Sequence, residues 1–116
     1  MKPKNFLTIY TTCKNLSEAK KISKFLVKEK LVACANIGSP IISIYNWKGK
    51  TEESREVPVI FKTTQKQYKA AEKPIRKLHS YDTPCIIAFE IVEGEPNYLS
   101  WILSGIRDQV SGVSKF

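Results

Sequence analysis

Val32-Ala33-Cys34-Ala35-Asn36-Ile37-Gly38-Ser39-Pro40-Ile41-Ile42-Ser43-Ile44-Tyr45-Asn46-Trp47 is followed by Lys48-Gly49-Lys50 and then by Thr51-Glu52-Glu53-Ser54-Arg55-Glu56-Val57-Pro58-Val59-Ile60-Phe61-Lys62-Thr63-Thr64. β-Branched and aromatic residues dominate both arms, and a Gly-containing turn separates them, so the stretch reads as one long hairpin. Gly38-Ser39-Pro40 interrupts the first arm and predicts a bulge or bend. The arms exceed the usual five or six residues of a strand. The second arm alone, residues 51–64, spans about 45 Å at ~3.3 Å per residue. A compact domain of 116 residues is only about 35 Å across. The hairpin tip therefore projects and needs something to pack on.

Outward from the hairpin, Phe6-Leu7-Thr8-Ile9-Tyr10-Thr11-Thr12 reads as a strand. Asn15-Leu16-Ser17-Glu18 is a capping-box pattern that opens a helix running to about Lys30, with Leu16, Ala19, Ile22 and Leu26 on one face. Lys20, Lys24 and Lys28 lie on another face and read as a solvated stripe. Thr64-Gln65-Lys66-Gln67 is a second capping-box pattern, ahead of a helix marked by Tyr68, Ala71, Ile75 and Leu78. Pro74 within it predicts a kink or restart, because proline removes a backbone donor. Residues 85–92 form a near-continuous apolar strand, and Tyr98, Ile102, Ile106 and Val110 mark a third helix. The order is βαββαβ plus a C-terminal helix. It predicts a single α+β domain over 1–116, a ferredoxin-like sandwich with a long hairpin between its second and third strands. Two helices cover only one face of such a sheet, yet the last strand is apolar on both. Ile87, Phe89 and Ile91 point one way, and Ile86, Ala88 and Val92 the other. The second face calls for cover from the third helix or from another subunit, and a closed homo-oligomer meets both demands.

Composition narrows the function. Apolar residues at 42% and charged residues at 26% are globular values. No apolar run approaches the ~18 residues of a membrane span. The basic start, Met1-Lys2-Pro3-Lys4, leads into no cleavable apolar segment, so the expected location is cytoplasmic. Cys13, Cys34 and Cys85 lack paired spacing and read as reduced thiols. The net charge is +8, with 11 basic against 5 acidic groups in residues 1–58, and such an excess can serve an anionic partner. RNA-recognition domains share the βαββαβ order. They carry aromatics on a Gly-rich third strand, whereas Glu56-Val57-Pro58-Val59-Ile60-Phe61-Lys62 has no Gly and one aromatic, so no specific nucleic-acid binding is expected. P-loop, GxGxxG, nucleophile-elbow and HExxH patterns are missing, so no enzyme class is indicated.

Leu31-Val32-Ala33-Cys34-Ala35-Asn36-Ile37, Ser43-Ile44-Tyr45-Asn46-Trp47-Lys48-Gly49-Lys50, Lys62-Thr63, Leu78-His79-Ser80-Tyr81-Asp82-Thr83-Pro84 and Tyr98-Leu99-Ser100-Trp101-Ile102 occur in that order. As an ordered set they resemble the CutA family of divalent-cation tolerance proteins. The resemblance runs from about Phe6 to Ile106. It implies a ferredoxin-like subunit in a tight homotrimer, with the hairpin pairing across subunits as in PII signalling proteins, and an association with copper and other divalent cations. The chain departs from the family pattern at Ser80 and Asp82 in the His79 loop, at Pro74, and at Lys14, where a proline is usual.

Cys34 and His79 are the metal candidates. Thiolate and imidazole suit copper or zinc, and the resemblance links these two positions to metal. Cys34 between Ala33 and Ala35 also fits close packing, and His79 near a helix C-terminus also fits interaction with its carbonyls. Cys13, beside Lys14, reads as a loop thiol whose pKa the lysine can lower. Cys85 reads as core. Tyr45, Trp47, Glu56, Lys62 and Tyr81 are candidates for lining a ligand cleft, with Lys62 either binding an anion or pairing with a carboxylate across the sheet. The expected function is a cytosolic homotrimer of the copper-tolerance type that binds metal or a small ligand between subunits. The alternative is a PII-like sensor of a small anionic ligand with incidental metal affinity.

Overall fold

The computed structural model describes residues 5–106. The elements are β1 (Phe6–Cys13), α1 (Leu16–Lys28), β2 (Cys34–Ile37), β3 (Ile41–Trp47), β4 (Lys50–Thr64), α2 (Tyr68–Leu78), β5 (Ile86–Glu90) and α3 (Pro96–Gly105). The strands form one antiparallel sheet in the order β2-β4-β1-β5, with β3 paired to the outer half of β4. With β2 and β3 taken as one interrupted strand, this is the ferredoxin-like arrangement that the element order predicts.

The interruption falls at Gly38-Ser39-Pro40. Ile37 pairs with Val59 and Ile41 pairs with Glu56, so three residues on one strand face two on the other. That is a bulge, and it switches which β3 side chains share a face with β4. Gly38 donates its N–H to Pro58 O at 2.9 Å. A Cβ on Gly38 would sit 3.1 Å from the Pro58 ring, so the proline and the glycine accommodate one another. At the tip, Lys48 and Gly49 both have positive φ (52° and 80°), the two-residue turn whose twist matches a β-hairpin. The molecule extends 51 × 26 × 23 Å and its radius of gyration is 15.3 Å, against about 13 Å for a compact chain of this length. The projecting hairpin accounts for the excess.

Asn15 caps α1 as predicted, with its Oδ1 accepting from Glu18 N at 2.8 Å. The helix ends at Lys28, two residues before the expected Lys30. Lys30 instead takes positive φ (58°), and its N–H and that of Leu31 bond back to Val27 O and Leu26 O, a Schellman closure. The second capping box does not form. Thr64 makes no side-chain cap bond, and Gln65–Gln67 is a 3-10 turn that leads into α2. α2 runs unbroken through Pro74. α3 is capped by Glu95, which accepts from Tyr98 N at 2.8 Å, with Pro96 in its first turn. Its last predicted apolar positions fall short: Ile106 is already extended, and Val110 lies outside the described residues.

Ile9, Cys13, Val57, Val59 and Phe61 of the sheet pack against Ala19, Ile22 and Leu26 of α1 and Ala71 and Ile75 of α2. Two corrections concern the cysteines. Cys13 is the buried last residue of β1, not a loop thiol. Cys85 precedes β5 and is exposed, not core. The reason is topological: β1 is central, whereas β5 is the edge strand and Cys85 lies just before it. On the opposite face, α3 covers only the end around Phe6, through Leu99 and Ile102.

Lys20, Lys24 and Lys28 are exposed as expected. Replacing all three with glutamine is expected to change stability by no more than about 0.5 kcal/mol. It should also abolish only weak, salt-sensitive association with nucleic acid, measurable by binding at low and physiological salt. Sub-micromolar, sequence-selective RNA binding lost with those lysines would reverse this reading.

Candidate functional site

The candidate residues fall into two groups on different parts of the sheet. The first gathers where β1 ends, the hairpin begins and α2 gives way to its loop. His79 follows α2, and its ring is wholly buried. His79 Nε2 lies 2.9 Å from Thr12 O. A carbonyl only accepts, so Nε2 carries the proton and Nδ1 presents its lone pair. Tyr81 N donates to that Nδ1 at 3.2 Å, and the Tyr81 ring tilts against the imidazole with centroids 4.8 Å apart. Glu18 Oε2, from the first turn of α1, stands 3.5 Å from Nδ1. Cys13 completes a cluster whose ligand atoms lie within 4.8 Å of one another.

Glu56 adjoins this cluster. Its carboxylate accepts from Ser43 Oγ at 2.6 Å and from Thr12 Oγ1 at 3.2 Å. The Tyr81 hydroxyl also bonds to it. Burial first, and then that bond and the negative charge of Glu56, push the Tyr81 phenol well above its ordinary value. Burial first, with Glu18 and Glu56 adding to it, pushes the Cys13 thiol up to about 12. This corrects the expectation that Lys14 lowers it: two carboxylates and a dry environment outweigh one exposed lysine. The exposed Cys85 is therefore expected to alkylate with iodoacetamide at neutral pH well before Cys13, which should react only after unfolding. Peptide mass spectrometry of briefly labelled protein checks this, and early labelling of Cys13 would contradict its burial.

The second group lies on the sheet face away from α1 and α2. Cys34 pairs across the sheet with Lys62. Its sulfur is 3.8 Å from the Tyr98 hydroxyl and 4.0 Å from Asn36 Oδ1. Lys62 Nζ donates to Asn36 Oδ1 at 2.7 Å and sits 5.9 Å from the Tyr98 ring centroid, whose ring stacks on Trp101 at 5.5 Å. Of the two readings of Lys62, the carboxylate pairing across the sheet does not form among the described residues: Lys62 contacts an amide and an aromatic face.

One chain does not bring Cys34 and His79 together. Cys34 lies opposite Lys62, and Thr12, which holds His79, lies opposite Pro58. Those rows are four residues apart on β4, about 13 Å along the strand. Of the cleft candidates, Glu56 and Tyr81 meet directly. Lys62 belongs to the Cys34 group. Tyr45 and Trp47 stand on the hairpin, half-exposed or more. Sequence reading passed over Thr12, Ser43, Asn36 and Tyr98 and took Glu18 only as a helix cap. The capping position did place Glu18 near the end of β1, but its approach to His79 requires the α1–α2 packing.

The sequence pattern of the family described as CutA1 divalent ion tolerance protein matches residues 7–105. The chain belongs to that family. A divalent-cation tolerance protein CutA of Archaeoglobus fulgidus is 42% identical over 94 residues, covering 81% of this chain and 91% of that one. A CutA homolog of Xenopus laevis is 42% identical over 93 residues, which are 80% of this chain but 62% of that one. The chain thus spans less than two thirds of the vertebrate relative. Among solved structures, CutA1 of Shewanella sp. SIB1 superposes with a TM-score of 0.87 at 37% identity over 93% of this chain and all of that one. CutA of Xylella fastidiosa does so with a TM-score of 0.86 at 36% identity, over 89% and 99% of the two chains. The A. fulgidus structure is described as a periplasmic divalent cation tolerance protein. In this CutA1-family chain, no helix among the described residues is long and apolar enough to cross a membrane.

Proposed function

We propose that this chain works as a homotrimer that holds a divalent cation, copper in the first instance, or a small ligand at clefts between subunits. The single observation that carries the assembly is the uncovered sheet face. Ile60, Ile87 and Phe89 are left open there, and Ile42, Ile44 and Trp47 are exposed on the projecting hairpin. A patch of this kind on a soluble chain marks an interface. A closed ring of identical subunits covers it without leaving a free copy of either surface. His79 and Cys34 are the metal-ligand candidates within this reading, and Tyr45, Trp47, Glu56, Lys62 and Tyr81 line the cleft. Three unpaired cysteines support a reducing, cytoplasmic setting.

Light scattering and native mass spectrometry of the full chain test this together. The expected result is a mass of three chains at micromolar concentration, with retained copper or added Cu2+ bound. A monomer mass would overturn the assembly. Trp47, 59% exposed in the single chain, is a buried anchor in this reading. Trp47→Ala is expected to weaken the trimer by about 2 kcal/mol or more, read as dissociation on dilution.

A further inference from the structure

An open groove of about 440 Å3 runs between α1 and the edge strand β2, lined by Ser23, Lys24, Val27, Lys28 and Ala35. It shares no residue with either group described above. Ser23 and Val27 stand one turn apart on α1, and Lys24 and Lys28 do so on the adjoining row, each pair about 5–6 Å apart at Cβ. Ala35 pairs with Phe61 and packs against the core beneath α1, and its single methyl leaves the floor of the groove low. Ser23 is 5% exposed. Its hydroxyl makes no hydrogen bond, whereas buried hydroxyls ordinarily have a partner. Neither Lys24 nor Lys28 is ion-paired among the described residues. We propose that this groove takes a small amphiphilic anion, a carboxylate on an aliphatic chain, with its head held by Lys24, Lys28 and the Ser23 hydroxyl and its chain on Val27 and Ala35. The site is independent of the cation reading above.

The lining selects the ligand class. Two unneutralised ammonium groups repel a metal ion and attract an anion. An inorganic anion would leave Val27 and Ala35 uncovered, and a nucleobase would find no aromatic ring in the groove to stack on. Burying an aliphatic chain on the floor is favourable in proportion to the apolar area covered. The lysine stems extend that area along the rim while their charged ends stay in water. A carboxylate is acceptor-only when ionised, so it suits three donors: two ammonium groups and one hydroxyl. The volume falls within the range of about 300–1,000 Å3 common to small-molecule sites, and the open shape admits a chain lying along α1 rather than a compact body.

Calorimetric titration of the assembled full chain with decanoate tests the site. One decanoate per chain is the expected result, with affinity that falls as salt is raised. Octanoate should bind more weakly, by up to about fourfold per methylene removed. Decanol, with the chain but no charge, should bind at least about tenfold more weakly than decanoate. Ala35→Leu fills the floor and is expected to abolish binding. The exposed pair Lys24→Gln and Lys28→Gln should lower affinity roughly tenfold and remove the salt dependence, and it serves as the second variant if Ala35→Leu fails to fold. Lys69→Gln, on α2, should change neither. Equal binding of decanol and decanoate, or affinity unchanged in the double lysine variant, would overturn the proposal. So would no uptake of decanoate by the unaltered chain. If that failure came with Ala35→Leu folded but dissociated, the groove would belong to a contact between subunits instead.

Discussion

Phe89→Asp is expected to leave the chain folded and to turn its assembly into monomers. Phe89 pairs with Thr8 on β1 and is 55% exposed, on the sheet face that α1 and α2 do not touch. The core on the other face does not use it, so the single chain loses little. In the proposed trimer the same ring would be buried once in each of the three subunits. Burial of a phenylalanine side chain contributes about 1.5–3 kcal/mol, and an unpaired carboxylate in its place costs several more. The combined effect exceeds what the remaining exposed apolar residues, Ile60 and Ile87 nearby, can restore. Light scattering at tens of micromolar should give one chain mass, with the circular dichroism of the unaltered protein. Phe89→Leu should stay assembled. If Phe89→Asp remains trimeric, this face is not the interface.

Phe61→Ala is the largest stability change expected. Phe61 is fully buried near the C-terminal end of β4, with Ile9 beside it on β1 and Ala35 on β2. Its removal opens a cavity between the sheet and the helices, and such changes cost about 3–5 kcal/mol. A domain of this size has about 5–15 kcal/mol in total, so the variant is expected to be marginal as a free chain. Association adds stability by mass action, so its melting point should rise with protein concentration more visibly than that of Phe89→Asp. Urea denaturation at two concentrations checks both statements. A loss below about 1 kcal/mol would mean that the core does not centre on β4.

Much of the architecture was legible along the chain because it rests on local rules. Asn15 and Glu18 announced the start of α1. Gly38-Ser39-Pro40 announced the bulge, and Lys48-Gly49 the hairpin turn. The length of β4 against the size of the domain announced a projection. Local rules failed where a neighbour in space decides. Cys85 looked like core because its strand is apolar, but edge position left it open. Thr64 had the spacing of a cap, but its chain enters α2 through a 3-10 turn. Pro74 had the chemistry of a helix breaker, yet α2 continues through it.

The candidate site shows the same division more sharply. From its sequence alone the chain settles its element order, its one helix-covered sheet face and the residue types available for metal. These follow from periodicity, capping and composition, which neighbours in sequence set. Which donors meet is set by packing in three dimensions. Cys34 and His79 are separated by the register of β2 and β1 on β4. Cys13 and Glu18 are brought to His79 because α1 packs beside α2 over the end of β1. That outcome depends on strand register and helix packing, which sum over contacts far apart in sequence, and no local pattern around Cys13, Glu18 or His79 encodes it.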